Sequence, residues 1–391
     1  MTAWVPKERK VELQFVKDLN IAGTADLAGS PYKSRPTTFQ TQPPDNSSRP
    51  ELTIPLPWHA MFDECTIRGR RFAPARFCAP LAGYTHSAFR WLVAELGGCG
   101  AVWTEMLAAR QILNESFKTS PWLRRRPQEG CVVYQLMINA DDPIERILGR
   151  LGEEGVDALD LNLACNARSV RSCSAGSALF EDLNSLSAVL YKARRFWPHV
   201  LTAKIRLGHQ RPDWQTRFEA RVRVLEEAGV DAIILHPRFF EEKFARRARH
   251  ELFSWAASLT RLPLIANGDL SGPDMVQERA DHFQSVSGVM LGRMALARPW
   301  IFSVWDRPMN VDFANVWERM CDHVGEDFPL AMAMRRLQMF TKYFATNFQF
   351  GHQFRLDLAR STTLQDLRQR AEAFFSRAPL KVAQPTVAGL C

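Results

Sequence analysis

Short apolar runs alternate with amphipathic stretches eight times between Pro74 and Trp305. Each apolar run is rich in Val, Ile, Leu or Ala, as buried parallel strands are. Glycines follow several amphipathic stretches, at Gly97, Gly155 and Gly229, where helices are expected to stop. The apolar runs predict strands at 75–82, 101–106, 132–137, 158–163, 201–207, 232–237, 263–270 and 288–295. The intervening pattern predicts helices at 86–96, 143–154, 183–196, 214–228 and 251–259.

Eight strand–helix repeats predict an α/β fold, a closed (β/α)8 TIM barrel, with a doubly wound open sheet as the main structural alternative. Residues 304–391 show helix-only patterning and predict a small C-terminal helical bundle that ends in a loose tail. Residues 1–71 contain a candidate short helix at 11–19 and a Thr, Ser, Pro and Gln-rich stretch. The predicted divisions are a partly flexible extension at 1–71, a barrel at 72–303 and a helical domain with its tail at 304–391.

Composition limits the class of protein. The chain has 391 residues, 46% of them hydrophobic, which is enough for a barrel core and a second domain. A net charge of +8 suits a polyanionic partner without establishing one. The sequence has no apolar run of membrane-spanning length and no secretory leader, so we expect a cytoplasmic protein, a monomer in the simplest case, without a membrane partner. Eight scattered cysteines without a CxxC pair predict reduced thiols and no metal site.

Polar residues end the predicted strands, and in a closed barrel the carboxyl ends of all strands share one mouth. A single polar strand end is explained equally well as a solvated loop edge. Eight in succession favour a functional site. In chain order they are Pro80, Glu105, Gln135, Asn162 with Cys165, Lys204 with Arg206, His236 with Arg238, Asn267 with Asp269, and Gly292 with Arg293.

Several motifs occur in a fixed order along this barrel: APLAGYTHSAFRWLVAELG, TEM, YQLM, DLNLAC followed by AGSAL, KIRLG, HPR, NGDL and GVMLGRMALARPWIF. In this order and spacing, residues 78–375 resemble the flavin-dependent dihydrouridine synthases, which reduce uridine in RNA. The resemblance implies a catalytic barrel at 72–303 that binds FMN, with NADPH re-reducing the FMN. It also implies that the helical domain at 304–391 binds RNA, with tRNA favoured as the substrate. No Rossmann GxGxxG motif follows a strand, so the nicotinamide is expected to enter the same mouth.

The resemblance also implies roles for individual residues. Cys165 matches the catalytic cysteine, and a thiol with a reference pKa of about 8.5 keeps its proton near neutrality, as a general acid must. Lys204 matches the lysine that stabilises negative charge on a reduced flavin. The expected cofactor-binding residues are Pro80, Ala82, Gln135, Lys204, His236, Asn267, Gly268, Asp269, Gly292 and Arg293. The expected substrate-binding residues are Asn162, Arg168, Arg206 and Arg238.

The loop around the thiol departs from the family pattern. The family reads Gly-Cys-Pro, whereas this chain has Ala164-Cys165-Asn166, which changes the backbone freedom of the loop. Cys173 occupies a position that is glycine in the family, and Ser172 a position that is usually lysine. Cys173 is therefore an alternative acid, a resolving thiol, or a tolerated small residue.

Basic clusters at 124–126, 194–195 and 243–249 are candidates for phosphate contacts, with solvated helix faces as the alternative explanation. Two other functions remain open from the sequence. One is an FMN-dependent barrel reductase of a small molecule, which the helical region and the basic surface disfavour. The other is a flavin-binding or RNA-binding pseudoenzyme in which the altered loop has lost catalysis.

Overall fold

The computed structural model describes residues 61–242 and 244–390, so the candidate helix at 11–19 lies outside the described residues. The strands are β1 (Cys65–Ile67), β2 (Arg70–Phe72), β3 (Arg76–Cys78), β4 (Ala101–Trp103), β5 (Leu107–Ala108), β6 (Val132–Met137), β7 (Ala158–Asn162), β8 (Val200–Gly208), β9 (Ala232–Phe239), β10 (Leu264–Asn267) and β11 (Gly288–Leu291). The helices are α1 (Ser87–Leu96), α2 (Ile144–Glu153), α3 (Arg168–Arg171), α4 (Ser177–Glu181), α5 (Leu183–Phe196), α6 (Trp214–Glu227), α7 (Phe253–Ser258), α8 (Pro273–Glu278), α9 (Arg293–Ala297), α10 (Phe313–Asp327), α11 (Leu330–Phe344), α12 (Gly351–Ala359) and α13 (Leu364–Phe375).

Eight parallel strands form a closed barrel in the order β3, β4, β6, β7, β8, β9, β10 and β11, and β11 pairs with β3 to complete the ring. The short β5 pairs with the carboxyl end of β6, so the second barrel strand is split into two segments. Apolar side chains along the strands, such as Leu159, Ile205 and Val289, are buried. The predicted (β/α)8 barrel is therefore confirmed, and the open sheet is excluded.

The predicted element bounds hold best where helix or strand periodicity is unambiguous. The strand at 132–137 and the helix at 183–196 match β6 and α5. The strand predicted at 75–82 shrinks to Arg76–Cys78. The strand predicted at 288–295 is wrong beyond Leu291, because α9 begins at Arg293. A buried apolar run does not by itself distinguish a strand from a short buried helix.

The strands β1 and β2 form an antiparallel hairpin at the amino ends of the barrel strands. Arg68 in its turn donates to the Pro198 carbonyl oxygen (2.7 Å) and to Asp231 Oδ1 (3.2 Å), just before β8 and β9. Arg70 pairs with Asp157, just before β7. This part of the predicted N-terminal extension is ordered and covers the barrel end opposite the mouth.

The helices α10 to α13 follow the barrel; α10 and α11 pack against its first helix, and α12 and α13 pack on α10 and α11. The Asp327 carboxylate at the end of α10 accepts hydrogen bonds from Ser87 of α1, from Arg124 (3.0 Å) and from Arg126 (2.7 Å). Arg336 of α11 donates to the carbonyl oxygen of Gly83 (2.6 Å), in the loop after β3. The helical region therefore lies beside the barrel mouth.

The expectation of a loose tail is wrong for residues 380–390. The Val382 N–H donates to the Asn347 carbonyl oxygen (2.8 Å), and Arg298 donates to the Val382 carbonyl oxygen (2.9 Å). Tyr343 donates its hydroxyl hydrogen to the Leu390 carbonyl oxygen (2.5 Å). Within 61–242 and 244–390, none of the helices combines the length and apolar character needed to cross a bilayer.

Candidate active site at the barrel mouth

The thiol and the ammonium predicted to share the mouth do lie near each other. Lys204 of β8 pairs in register with Asn162 of β7, and Cys165 lies three residues beyond Asn162. Burial and the charge of Arg206 lower the pKa of Lys204 to about 8, while the Asp160 carboxylate and Cys165 oppose this shift. Among the described residues, the Lys204 ammonium has no hydrogen-bond acceptor. A buried ammonium without an acceptor favours an anionic or electron-rich ligand.

A chain of hydrogen bonds connects the barrel interior to the thiol loop. Gln135 Nε2 donates to Asp160 Oδ2 (2.6 Å), and Asn162 Nδ2 donates to Gln135 Oε1 (2.8 Å). Asn162 Oδ1 in turn accepts from the backbone N–H groups of Ala164 (3.2 Å) and Cys165 (2.9 Å). The two amides therefore have one orientation, and one N–H of each remains for a ligand.

Asp160 sets the direction of this chain because an ionised carboxylate only accepts hydrogen bonds. Thr202 Oγ1 donates to its second oxygen (2.7 Å). Burial raises the pKa of Asp160 to about 6, opposed by the hydrogen bonds from Gln135 and Thr202 and by the Lys204 charge. We call Gln135, Asp160, Asn162, Thr202 and Lys204 the floor of the mouth.

The Cys165 thiol keeps its proton at neutral pH. Burial raises its pKa, and the Ala167 N–H and the charges of Arg206 and Lys204 oppose the increase. Cys173 is exposed, and its carbonyl oxygen accepts from Asn139 Nδ2 (3.0 Å). Of the two thiols in this loop, Cys165 is the one placed in the mouth.

Arg238, predicted to contact substrate, has a different role in the structure. It is 2% exposed. Its guanidinium donates to the Arg246 carbonyl oxygen (2.6 Å), to His236 Nε2 (2.8 Å) and to Asp269 Oδ2 (2.6 Å). Because the loop after β9 covers it and these acceptors occupy it, Arg238 orients its neighbours and does not reach a substrate.

His236 is neutral and has a defined tautomer. Burial, followed by the charges of Arg206, Lys204, Arg238 and Arg293, holds the pKa of His236 well below its usual value. Since an arginine can only donate, His236 Nε2 accepts from Arg238 and the ring proton resides on Nδ1. The imidazole therefore offers an N–H donor to a ligand.

Asp269 holds two arginines in place. Its carboxylate accepts from Arg238 (2.6 Å), from Arg293 (2.9 Å) and from the Ala248 N–H (2.9 Å). Burial alone would raise the pKa of Asp269, but these donors together hold it below its ordinary value. Arg293 also donates to the Val387 carbonyl oxygen (3.4 Å), which brings the C-terminal tail to the mouth. The predicted cofactor residue Asp269 thus acts on Arg293 in this structure.

Gly268, predicted to bind the cofactor, is at a position where only glycine fits. Its φ is +116°, and a Cβ there would lie 2.7 Å from His236 Cδ2 and 2.9 Å from Ala248 Cβ. Asn267 Nδ2 donates to the Met290 carbonyl oxygen (2.8 Å) and so joins the ends of β10 and β11. These residues fix the shape of the mouth after the seventh and eighth barrel strands.

The predicted residues of the first and last loops lie side by side. Pro80 and Ala82 are half-buried in the loop after β3, which pairs with β11. A Cβ on Gly292 would be in ordinary van der Waals contact with Leu81 Cδ2 (3.6 Å) and Ala79 Cβ (3.7 Å), so the last loop packs against the first. Arg168 is exposed on α3, at the outer edge of the mouth.

Three contributors were not singled out from the sequence: Asp160, Thr202 and Phe244. Asp160 precedes Asn162 by two residues, so strand periodicity alone places both on the inward face. Phe244 is 38% exposed, and its ring lies under the guanidinium groups of Arg206 (5.5 Å) and Arg293 (4.7 Å). Phe244 lies in an irregular loop, where periodicity gives no signal.

The residues present fit a flavin. Lys204, Arg206 and Arg293 surround the neutral His236, so the mouth is cationic and suits a phosphate tail and an electron-rich ring. Lys204, without an acceptor of its own, is placed to hold negative charge on the ring. Arg293, which Asp269 orients, would hold the phosphate beside Gly292.

A parallel barrel with a thiol, a buried ammonium and a cationic mouth at its carboxyl edge defines an enzyme of the TIM-barrel class. The dihydrouridine synthase family model matches residues 77–379. The chain therefore belongs to the dihydrouridine synthase family, whose members are flavin-dependent oxidoreductases.

Several curated proteins are similar to this chain. A probable tRNA-dihydrouridine synthase of Helicobacter pylori (strain ATCC 700392 / 26695) is 26% identical over 324 residues, covering 79% of this chain and 94% of that protein. The tRNA-dihydrouridine synthase B of Escherichia coli (strain K12) is 27% identical, covering 76% of this chain and 95% of that protein. Histamine dehydrogenase from Rhizobium sp. 4-9 superposes with a TM-score of 0.50 and 12% identity, covering 73% of this chain and 51% of that chain, which shows the fold alone.

Proposed function

We propose that this protein reduces a uridine of tRNA to 5,6-dihydrouridine, with FMN as the hydride donor and NADPH as the reductant. The observation that carries the proposal is the family match over residues 77–379, within which Cys165 and Lys204 share one mouth. The similar proteins named as tRNA-dihydrouridine synthases support tRNA as the substrate.

When bound, FMN supplies a hydride to C6 of the uracil after taking two electrons from NADPH. Lys204 and the Nδ1–H of His236 would hold the ring, and the second N–H of Gln135 would bind its polar edge. Arg293, oriented by Asp269, would hold the phosphate between the loops that contain Gly268 and Gly292.

Cys165 acts as the general acid. Its thiol gives a proton to C5 of the uracil while C6 gains the hydride, so the C5–C6 double bond becomes single. The resulting thiolate takes a proton from solvent before the next turnover. Burial keeps the thiol protonated at neutral pH, which is the form that the step requires. Asn162 orients the loop and has one N–H left for the uracil edge.

The RNA approaches along a set of arginines that we call the rim: Arg168, Arg171, Arg246, Arg247 and Arg335. Within the described part of the chain, no acidic partner lies against any of their guanidinium groups. By contrast, Arg124 and Arg126 pair with Glu326 and Asp327. The predicted cluster at 124–126 is therefore mainly structural, and Lys243 of the cluster at 243–249 lies outside the described residues.

We assign RNA binding to the helical region at 304–391 and the chemistry to the barrel at 72–303. Arg335 is exposed on α11 next to Arg336, which contacts the mouth loop at Gly83, so a tRNA bound in the mouth would also meet α11. A monomer is sufficient for this arrangement, because the mouth residues named above come from one chain. The cytoplasm is the proposed location, consistent with the free state of every described cysteine.

Reconstitution tests the proposal. Purified protein with FMN, NADPH and tRNA lacking dihydrouridine is expected to form dihydrouridine, detected by mass spectrometry of digested nucleosides. NADH in place of NADPH tests the choice of reductant. Protein that binds FMN and consumes NADPH without forming dihydrouridine in tRNA or in any other RNA supplied would contradict the proposal and leave the pseudoenzyme or small-molecule reductase.

A further inference from the structure

The thiol loop is fixed at the main chain of Cys165 from both sides. The Cys165 N–H donates to Asn162 Oδ1 (2.9 Å), and its carbonyl oxygen accepts from the Ser177 N–H (2.9 Å). A Cβ on Gly176 would lie 2.6 Å from the Cys165 oxygen, so the two segments approach as closely as glycine allows. These contacts hold the peptide groups of Cys165 itself, and the backbone that follows Cys165 needs a separate restraint.

Asn166 supplies that restraint through its side chain. Its Oδ1 accepts from Ser177 Oγ (2.9 Å), and its Nδ2 donates to the Phe240 carbonyl oxygen (3.3 Å). Ser177 begins α4, and Phe240 directly follows β9, so one amide connects the thiol loop to two separate elements. Asn166 is half-buried, which protects both hydrogen bonds from solvent.

Asn166 directly follows Cys165, so the hydrogen bonds of its side chain also restrain the backbone next to the thiol. Asn166 lies between Cys165 and Ala167, and the Ala167 N–H opposes the rise in the pKa of the Cys165 thiol. Fixing the Asn166 side chain therefore fixes the peptide groups on both sides of it. In the family pattern a proline at this position limits the backbone by its ring instead.

We propose that Asn166 is a positioning residue for Cys165, and that its bonds to Ser177 and Phe240 replace the restraint of a proline by clamping the thiol loop toward the mouth. The expected effect of Asn166 on catalysis rests on the proposed function. The effect of Asn166 on the loop does not, because the reactivity of the Cys165 thiol reports the position of the loop without substrate.

The experiment compares N166A, N166P, S177A and N166A/S177A with the full-length wild type. The first readout is the rate at which iodoacetamide alkylates Cys165 in each protein, followed by mass spectrometry of tryptic peptides. Arg168 and Arg171 separate Cys165 from Cys173 on digestion, so Cys173 serves as the internal control. The second readout is kcat for uridine reduction and KM for tRNA. Ser172→Ala, an exposed change in the same loop, is the matched control.

We expect N166A to raise the alkylation rate of Cys165 about fivefold by releasing a half-buried loop, with the rate of Cys173 unchanged. We expect kcat to fall about tenfold with KM for tRNA unchanged, because a displaced acid affects the chemical step and not binding. N166P should keep both values near wild type. S177A should shift both in the direction of N166A, and the double variant should add little to N166A.

Wild-type alkylation and wild-type kcat in N166A would overturn the inference, as would an N166P variant no better than N166A. Should N166A fail to fold, S177A and N166P carry the same test. A wild type that forms no dihydrouridine refutes the proposed function alone, since the alkylation rates still decide whether Asn166 clamps the loop.

Discussion

At the floor of the mouth, Gln135 and Asn162 are held in one orientation by Asp160, whereas at the rim Arg168 and Arg246 are exposed and unpaired among the described residues. The side chains of the floor are ordered without a ligand, because the Gln135 and Asn162 amides already have hydrogen-bond partners within the protein. The rim arginines are available to pair with the phosphates of a nucleic acid. The contrast indicates that side chains are held in fixed positions where covalent bonds are made and broken. Where a polyanion binds, exposed positive charges suffice.

The largest expected effect comes from removing the acid above the floor. C165A should retain bound flavin and NADPH oxidation but slow uridine reduction by about 10²-fold or more, the range expected for loss of a general acid. Single-turnover reduction of tRNA by the pre-reduced protein measures this step directly. C173A is the matched control and should react at the wild-type rate; a slow C173A with a fast C165A would assign the acid to Cys173.

The next effect concerns the buried ammonium. Because the pKa of Lys204 is about 8, it is charged below that pH and loses its charge as the pH rises above it. The affinity of the apoprotein for FMN should therefore fall by up to about fivefold between pH 8 and 9. This affinity is measured by titrating FMN with the apoprotein and monitoring the quenching of flavin fluorescence.

Lys204→Met should bind FMN weakly and without this pH dependence, while Lys192→Met, an exposed change on α5, should behave as wild type. A wild-type affinity that is flat from pH 7 to 9 would be at odds with Lys204 beneath the flavin.

A smaller effect tests whether Asp160 directs the amides. Below its pKa of about 6 the carboxyl becomes a donor, so kcat should fall as the pH drops from 7 to 5. D160N should lower kcat about tenfold at pH 7 through misdirected amides and lose this acid limb. T202V removes the other hydrogen bond to Asp160, which lowers the pKa of that carboxyl, so the variant should keep the acid limb but move it to higher pH. An acid limb that persists in D160N would assign it to another group.

The smallest effect concerns the rim. R246A/R247A should raise KM for tRNA about fivefold with kcat unchanged, and lower the salt dependence of binding by roughly one unit of slope for each arginine–phosphate pair removed. Filter binding at several salt concentrations measures this. The control is K192A/R195A, two exposed residues at the far end of α5, away from the mouth. An equal weakening of binding in both variants would show only a general charge effect.

The sequence predicted the barrel because eight repeats of one pattern constrain each other, and it predicted which strand ends meet because barrel closure requires it. The meeting of Cys165, Lys204 and His236 at the mouth was predicted in this way. The burial of Arg238 could not be predicted, since it depends on the loop after β9 folding over it. The same holds for the ordered tail, whose contacts with Asn347 and Arg298 join residues far apart in the chain.

The measurement that tests the central claim most directly is a nucleotide-resolution map of dihydrouridine in tRNA from cells with and without this protein. Deletion is expected to erase dihydrouridine at one or a few positions, restored by the wild-type gene and not by C165A expressed at the same level. A map unchanged by the deletion, or restored equally well by C165A, would contradict the account.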